Sequence, residues 1–332
     1  YKENKIVGNV WAQLEPIKDL KVKSTFGIDL ANGFSRSFTP VYDLGGNVKS
    51  LVSQASAASD KWYTWQNETT VSYSKTMGVH SFTALAGMTA NSYRHDYVGG
   101  SKNDLLFNDF DHAYINNGTD EESYKAWGGA EEHALLSYFA RGNYSFMDKY
   151  IVEAVIRADG SSNFGPNNRY GYFPAFSAGW VITKEPFMAD YPAISFLKLR
   201  FGWGQNGNES IGNFRYRSLM DGGENYYFGG SYDIVNKNNT GTMVYGTSPG
   251  AVANPDIKWE TSTQTDIGVD MRLFNSRMNF GFDYFNKNTK DMLATMPVPV
   301  YIGQSAPMGN LGKMKNWGLE FETGWKDKYK DF

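Results

Sequence analysis

The residues able to do chemistry in this chain do not assemble into a catalytic pattern. The four histidines, His80, His95, His112 and His133, do not fall at the spacing that sets two metal ligands on one helix face. His95 and His112 read as surface-loop residues. The acidic pairs Glu121–Glu122 and Glu131–Glu132 are expected in a polar loop and read as solvated charge rather than as a general acid and base. No phosphate-binding glycine–lysine loop, nucleophile elbow or HExxH motif occurs. The chain has no cysteine, which excludes disulfides, thiolate nucleophiles and cysteine-bound metals. The glycines of 202-GWGQNGN-208 imitate a dinucleotide loop, but they continue a strand and no helix follows. No enzyme activity, cofactor or metal is expected.

Binding chemistry is better represented. The stretches 61-KWYTWQNE-68, 91-NSYRHDY-97 and 226-YYFGGSYDIVNKNNTGTMVYG-246 mix aromatic rings with Asn, Asp and Arg. Aromatic faces stack on sugar rings while the polar groups satisfy hydroxyls, and peptides use the same kind of surface. Trp62, Trp65, Tyr93, Tyr226, Tyr227 and Tyr232 are the candidate substrate contacts, placed in loops. The plainer alternative is that these rings only pack the loops together.

The elements that must carry such residues are strands. Two-residue alternation runs through the chain and helical periodicity is nearly absent. In 20-LKVKSTFGIDL-30, Leu20, Val22, Phe26, Ile28 and Leu30 oppose Lys21, Lys23, Thr25 and Asp29. In 196-FLKLRFGWG-204, Leu197, Leu199, Phe201 and Trp203 oppose Lys198 and Arg200. In 264-QTDIGVDMRLF-274, Ile267, Val269, Met271 and Leu273 oppose Asp266, Asp270 and Arg272, and in 317-WGLEFETGW-325 the apolar face opposes Glu320 and Glu322. About eleven such strands are expected. Aromatics make up 16% of the 332 residues. Trp11, Tyr73, Tyr138, Tyr144, Tyr150, Trp180, Trp203, Tyr284, Trp317 and Trp325 fall near the ends of apolar faces, as in membrane-interface girdles.

Alternation alone fits a soluble β-sandwich as well as a membrane barrel. Connection length separates them. Tight turns at 16–19, 76–78, 147–149 and 274–277 alternate with long connections at 32–63, 92–132, 158–173, 205–261 and 287–315, while 183–195 is of medium length where a short turn is due. Short turns on one side and long loops on the other are the asymmetry of outer-membrane barrels. The net charge of −3 is too small and too dispersed for a nucleic-acid binder, and no apolar run is long enough for a membrane helix. The chain starts at Tyr1 and not at Met, so an internal piece of a longer protein is expected.

Two long motifs carry a family resemblance. The stretch 157-RADGSSNFGPNNRYGYFPAFSAGWVITKEPFM-188, followed by 197-LKLRFGWGQNGNESIG-212, resembles the SusC/RagA family of TonB-dependent outer-membrane transporters, as do 8-GNVWAQLEPIKDLKVKSTFGID-29, 254-NPDIKWETSTQTDIGVDMRLFNSRMNFGFDYFNKNTKDML-293 and 309-GNLGKMKNWGLEFE-322. The resemblance spans nearly the whole chain in collinear order. It implies an all-β, transmembrane antiparallel barrel of 22 strands, of which residues 1–332 are a part, with the plug domain and the first and last strands outside this sequence. It further implies TonB-driven import of an oligosaccharide or peptide, a SusD-like surface lipoprotein as partner, and the outer membrane of a Gram-negative, Bacteroidetes-type bacterium as the place. Lys198, Arg200, Asp266, Asp270, Arg272, Glu320 and Glu322 would then face the lumen or the plug. The motif residues Asp159, Gly160, Ser161, Ser162, Phe164, Asn168 and Arg169 would shape a loop or partner contact rather than bind substrate. A passive porin or adhesin is the rival reading, and an outer-membrane hydrolase a weaker one.

Overall fold

The computed structural model describes residues 1–46, 48–223, 226–228, 232–233, 238–239 and 242–327, with the backbone alone at Tyr227, 232–233, 238–239 and 242. Eleven long strands form one antiparallel sheet, each bonded to its neighbours in chain order. They are β1 (Lys2–Ile17), β2 (Leu20–Thr39), β3 (Gln54–Met77), β4 (His80–Leu105), β5 (Gly118–Phe146), β6 (Tyr150–Ser161), β7 (Tyr170–Val181), β8 (Ile194–Asn208), β9 (Glu260–Leu273), β10 (Met278–Thr295) and β11 (Met308–Trp325). Their contacts divide into two compact units, 1–73 with 85–138, and 74–84 with 139–332.

The expected strand number holds, but the strands are longer than the alternation indicated. β3, β4 and β5 have 24, 26 and 29 residues. About 9–11 tilted residues suffice to cross hydrocarbon. The surplus has a physical reason in β4. One face is apolar from Phe82 through Ala84, Ala86 and Met88 to Ala90, then carries Arg94 and Asp96 while the backbone ladder continues. The outer half of each strand therefore reads as loop by composition. The connections expected at 32–63 and 92–132 contract to 40–53 and 106–117, and His95 lies on β4 rather than in a loop.

Register fixes the two faces. Leu199 pairs with Trp180 and Val269, Phe201 with Ala178 and Ile267, and Phe282 with Val269 and Phe321. These apolar residues share one side across β7–β11. Many of them are exposed, among them Ile267 at 49% and Phe321 at 69%. Such a continuous apolar surface is foreign to a soluble monomer and belongs against lipid. Trp11 departs from the expected girdle. It pairs with Thr25 on the charged face, with the Lys23 ammonium 5.4 Å from its ring.

The packed core sits in the connections rather than between layers. In the second unit, Phe164 and Ile257 are fully buried, and Trp259 lies with its ring 5.0 Å from that of Phe164 and 5.5 Å, edge-on, from that of Phe173. The Trp259 indole N–H donates to the Arg169 carbonyl at 3.1 Å. The Asn168 amide donates to the Asp256 carbonyl at 2.9 Å. A Cβ on Gly165 would stand 2.9 Å from the Pro255 carbonyl, so only glycine lets the two segments meet. The first unit has a smaller cluster of Ala55, Leu105 and Ala113 under Phe38, beside which the Arg36 guanidinium lies 4.4 and 4.6 Å from the Phe110 and Tyr114 rings. Removing the Phe164 ring costs about 3–5 kcal/mol of packing. In the Phe164→Ala variant, limited proteolysis is expected to cut at 162–169 and 255–259 under conditions that spare the parent; an unchanged digest would contradict this account of the loop core.

Candidate functional site

Three groups of residues come together. The first is on the charged face of the second unit. Lys198 and Arg200 project from β8 because they alternate with Leu197, Leu199 and Phe201. The Arg200 guanidinium donates Nε to Asp270 Oδ2 at 2.8 Å and Nη2 to Asp270 Oδ1 at 3.0 Å, the planar two-point pairing that arginine suits. Its Nη2 also reaches Asp283 Oδ2 on β10 at 3.0 Å. That second contact crosses β9 at Gly268, which pairs with Arg200 on one side and Asp283 on the other. A Cβ on Gly268 would stand 2.8 Å from the guanidinium carbon and collide with the Asp283 carboxylate. Glycine at this point is what lets one arginine bind carboxylates on two strands.

The other charged candidates surround this centre. Lys198 is opposite Asp270 in register, with Arg272 further along β9 and the Arg272 guanidinium 5.1 Å from the Phe196 ring. Lys198, Asp270, Arg272, Asn279 and Glu322 line one groove. Asp266 accepts a bond from the Gln264 amide at 3.0 Å. Glu320 stands directly opposite Asp283 and Glu322 opposite Gly281. Asp283 was not among the sequence candidates. Its signal is the alternation of 279-NFGFDYF-285, where Asn279, Gly281 and Asp283 oppose Phe280, Phe282 and Tyr284.

The second group lies in the first unit. Trp62, Trp65 and Tyr93, expected in loops, stand on β3 and β4, because those strands outlast their apolar band. Trp62 and Trp65 face opposite ways. Trp65 pairs with Ile28 on the apolar side, its ring stacked near Phe26 at 6.4 Å. Trp62 pairs with Ala31 and stacks on His95, ring centroids 4.9 Å apart and nearly parallel. His95 Nε2 lies 2.9 Å from Asp60 Oδ1, and Tyr97 stands 5.3 Å from the His95 ring. A Cβ on Gly33 would meet the Trp62 ring at 3.0 Å. The result is an aromatic row, with Tyr97 tilted 33° to the His95 ring, and a carboxylate beside it. Tyr226 is exposed on a short strand, Tyr226–Phe228, paired with Thr242–Val244. The side chains of Tyr227 and Tyr232 lie outside the described residues.

The third group is the motif itself. Asp159 is buried and holds the Arg157 guanidinium Nε at 2.6 Å. Ser161 is fully buried; its hydroxyl accepts from the Asn163 backbone N–H at 3.0 Å, and its own N–H donates to the Arg169 carbonyl at 3.1 Å. Gly160 and Phe164 are buried, Ser162 and Asn168 half-buried, and Arg169 exposed. These bonds tie residues 157–169 back on themselves as a loop. Among the described residues, no group of three or more His, Asp or Glu could hold a metal ion.

Comparison with known proteins agrees with this architecture. Residues 9–331 match the family model described as TonB dependent receptor-like, beta-barrel. The chain is 34% identical over 311 residues to TonB-dependent receptor P39 of Formosa agariphila, covering 92% of the chain and 28% of that protein. It is 29% identical over 342 residues to TonB-dependent receptor SusC of Bacteroides thetaiotaomicron, covering 97% of the chain and 31% of that protein. Among solved structures, the RagAB peptide transporter superposes with a TM-score of 0.84 at 26% identity, over 99% of this chain and 34% of that one. The chain thus spans about a third of the length of these relatives, which are receptors and transporters rather than enzymes. With an eleven-stranded two-faced sheet and a family match over nearly its whole length, the chain belongs to the TonB-dependent receptor β-barrel family.

Proposed function

We propose that residues 1–332 are a wall section of a 22-stranded outer-membrane barrel, and that the intact protein imports an oligosaccharide or peptide in TonB-driven cycles together with a SusD-like surface lipoprotein. The observation that carries this is the collinear likeness to SusC and to the RagAB peptide transporter over nearly the whole chain. In this reading the apolar face meets lipid and the charged face lines the interior. Lys198, Arg200, Asp266, Asp270, Arg272, Glu320 and Glu322 then face the plug or the transport path. The row of Trp62, His95 and Tyr97, with Tyr93, is the candidate ligand surface of the first unit.

Mild detergent purification of the intact protein from its native membrane, with mass spectrometry of what accompanies it, tests the proposal. A co-purifying surface lipoprotein with a glycan or peptide is expected. A lone barrel with neither would favour a passive porin or adhesin.

The charged centre makes a separate prediction. Arg200→Ala leaves Asp270 and Asp283 without their shared cation. The groups are about a third or more exposed, so solvent screens them and the cost is about 1 kcal/mol. The temperature at which the folded barrel loses its fast gel migration should fall by a few degrees, and Arg200→Lys, which cannot make the two-point pair, should recover only part of it. Equal stability of all three proteins would remove the centre's structural role.

A further inference from the structure

The hairpin of β10 and β11 carries a cluster of lysines on its apolar side. Register sets Met278 opposite Trp325, Phe282 opposite Phe321, Tyr284 opposite Leu319 and Asn286 opposite Trp317. The next pairs on that same side are Asn288 with Lys315 and Lys290 with Lys313. The neighbouring strand adds Thr263, opposite Asn288, and Thr261, opposite Lys290. Among the paired residues of β9, β10 and β11 no carboxylate falls on this side, since Asp266, Asp270, Asp283, Glu320 and Glu322 all face the other way. All three lysines are exposed, and among the described residues none is in an ion pair. Two like charges placed directly opposite destabilise a strand pair unless something compensates them.

Their height is informative. Trp325 and Trp317 bracket the apolar band of β11, and the tight turn at 274–277 marks the periplasmic end. At about 3.3 Å per residue and a tilt near 40°, eight residues separate the two tryptophans by roughly 20 Å along the membrane normal. Lys315 then stands about 5 Å, and the Lys290–Lys313 pair about 10 Å, beyond the upper tryptophan by the same measure. That is the layer in which lipid headgroups lie, outside a hydrocarbon band of about 25 Å. An exposed basic cluster at that level, continuous with a lipid-facing apolar surface, is complementary to a phosphorylated headgroup.

We propose that Lys290, Lys313 and Lys315 form a binding site for the phosphate groups of a phosphorylated glycolipid in the outer leaflet. The site rests on the reading of the chain as outer-membrane barrel wall. It does not depend on which nutrient is carried.

The test uses the intact receptor in nanodiscs of zwitterionic lipid doped with bisphosphorylated lipid A or with the same lipid stripped of phosphate, and counts the doped lipid retained by native mass spectrometry. Each lysine near an anionic headgroup contributes on the order of fivefold in affinity. With their mutual repulsion allowed for, the triple variant Lys290→Gln, Lys313→Gln, Lys315→Gln should retain about tenfold less bisphosphorylated lipid A than the parent. Equal retention by parent and variant would overturn the site. So would equal retention of the stripped lipid by the unchanged receptor, a contrast that stands even where the variant fails to insert. Displacement by inorganic phosphate at the same concentration would overturn the lipid assignment in favour of a free-anion site. Nutrient co-purification reads the import proposal separately, so a receptor that retains the lipid but carries no nutrient loses that proposal and keeps this one.

Discussion

The structure depends on one constraint, that every backbone N–H and C=O in a strand must pair with a neighbouring strand. In hydrocarbon no water stands in for a missing partner, so long strands with continuous ladders are the only β solution. Within this chain β2 to β10 each have a bonded neighbour on both sides, in chain order, and register follows from it. Because side chains alternate with a period of two, a one-residue slip would turn Phe201 and Ile267 to the charged side and Arg200 and Asp270 to the apolar one. Burying or exposing the wrong set costs far more than any single contact gains. The ladder and the two-faced pattern hold each other in place.

Given two faces, the remaining features are ways of managing polar groups. On the charged face, Arg200 is placed so that one guanidinium serves carboxylates on two strands, and Gly268 keeps the path between them open. At the turn side of the second unit, Glu185 accepts from the Tyr150 hydroxyl at 2.6 Å, the Trp180 indole at 3.1 Å and the Lys149 ammonium at 3.1 Å. Those donors, the tyrosine foremost, hold its carboxyl below the usual carboxylate range. Stability from this latch is present above the unfolded carboxylate's pKa and is lost as pH falls through the lowered one. In the long connections, Asn163, Asn168 and Trp259 donate to backbone carbonyls of other connection residues.

Much of this is legible in the residues. Leu197-Lys198-Leu199-Arg200-Phe201 can only be a two-faced strand, and the tight turns are short enough to leave one geometry. The upper halves of β3, β4 and β5 are not legible in the same way. Once β4 passes its apolar band the alternation inverts, with Arg94 and Asp96 on the face that carried Phe82 and Met88 and Tyr93, His95 and Tyr97 on the other, so 91-NSYRHDY-97 looks like loop although its ladder persists. That is why Trp62 and Tyr93 were expected in loops. The Trp62–His95–Asp60 grouping needs the β3–β4 register, which composition does not supply. Asp283 was legible by alternation, whereas its bond to Arg200 depends on a glycine two strands share.

The central claim is that adjacent residues on one strand face lipid and interior by turns. The chain has no cysteine, so single-cysteine variants of the intact receptor report one position each. Phe282→Cys and Asp283→Cys, labelled in native membranes, give the most direct reading. The thiol at 282 should be protected from aqueous maleimide and, when labelled by a membrane-permeant fluorophore, be quenched by a lipid-borne quencher, while the thiol at 283 should react with the aqueous reagent and its label escape the lipid quencher. Equal aqueous reactivity at both positions, or the reverse pattern, would contradict the assignment of the two faces.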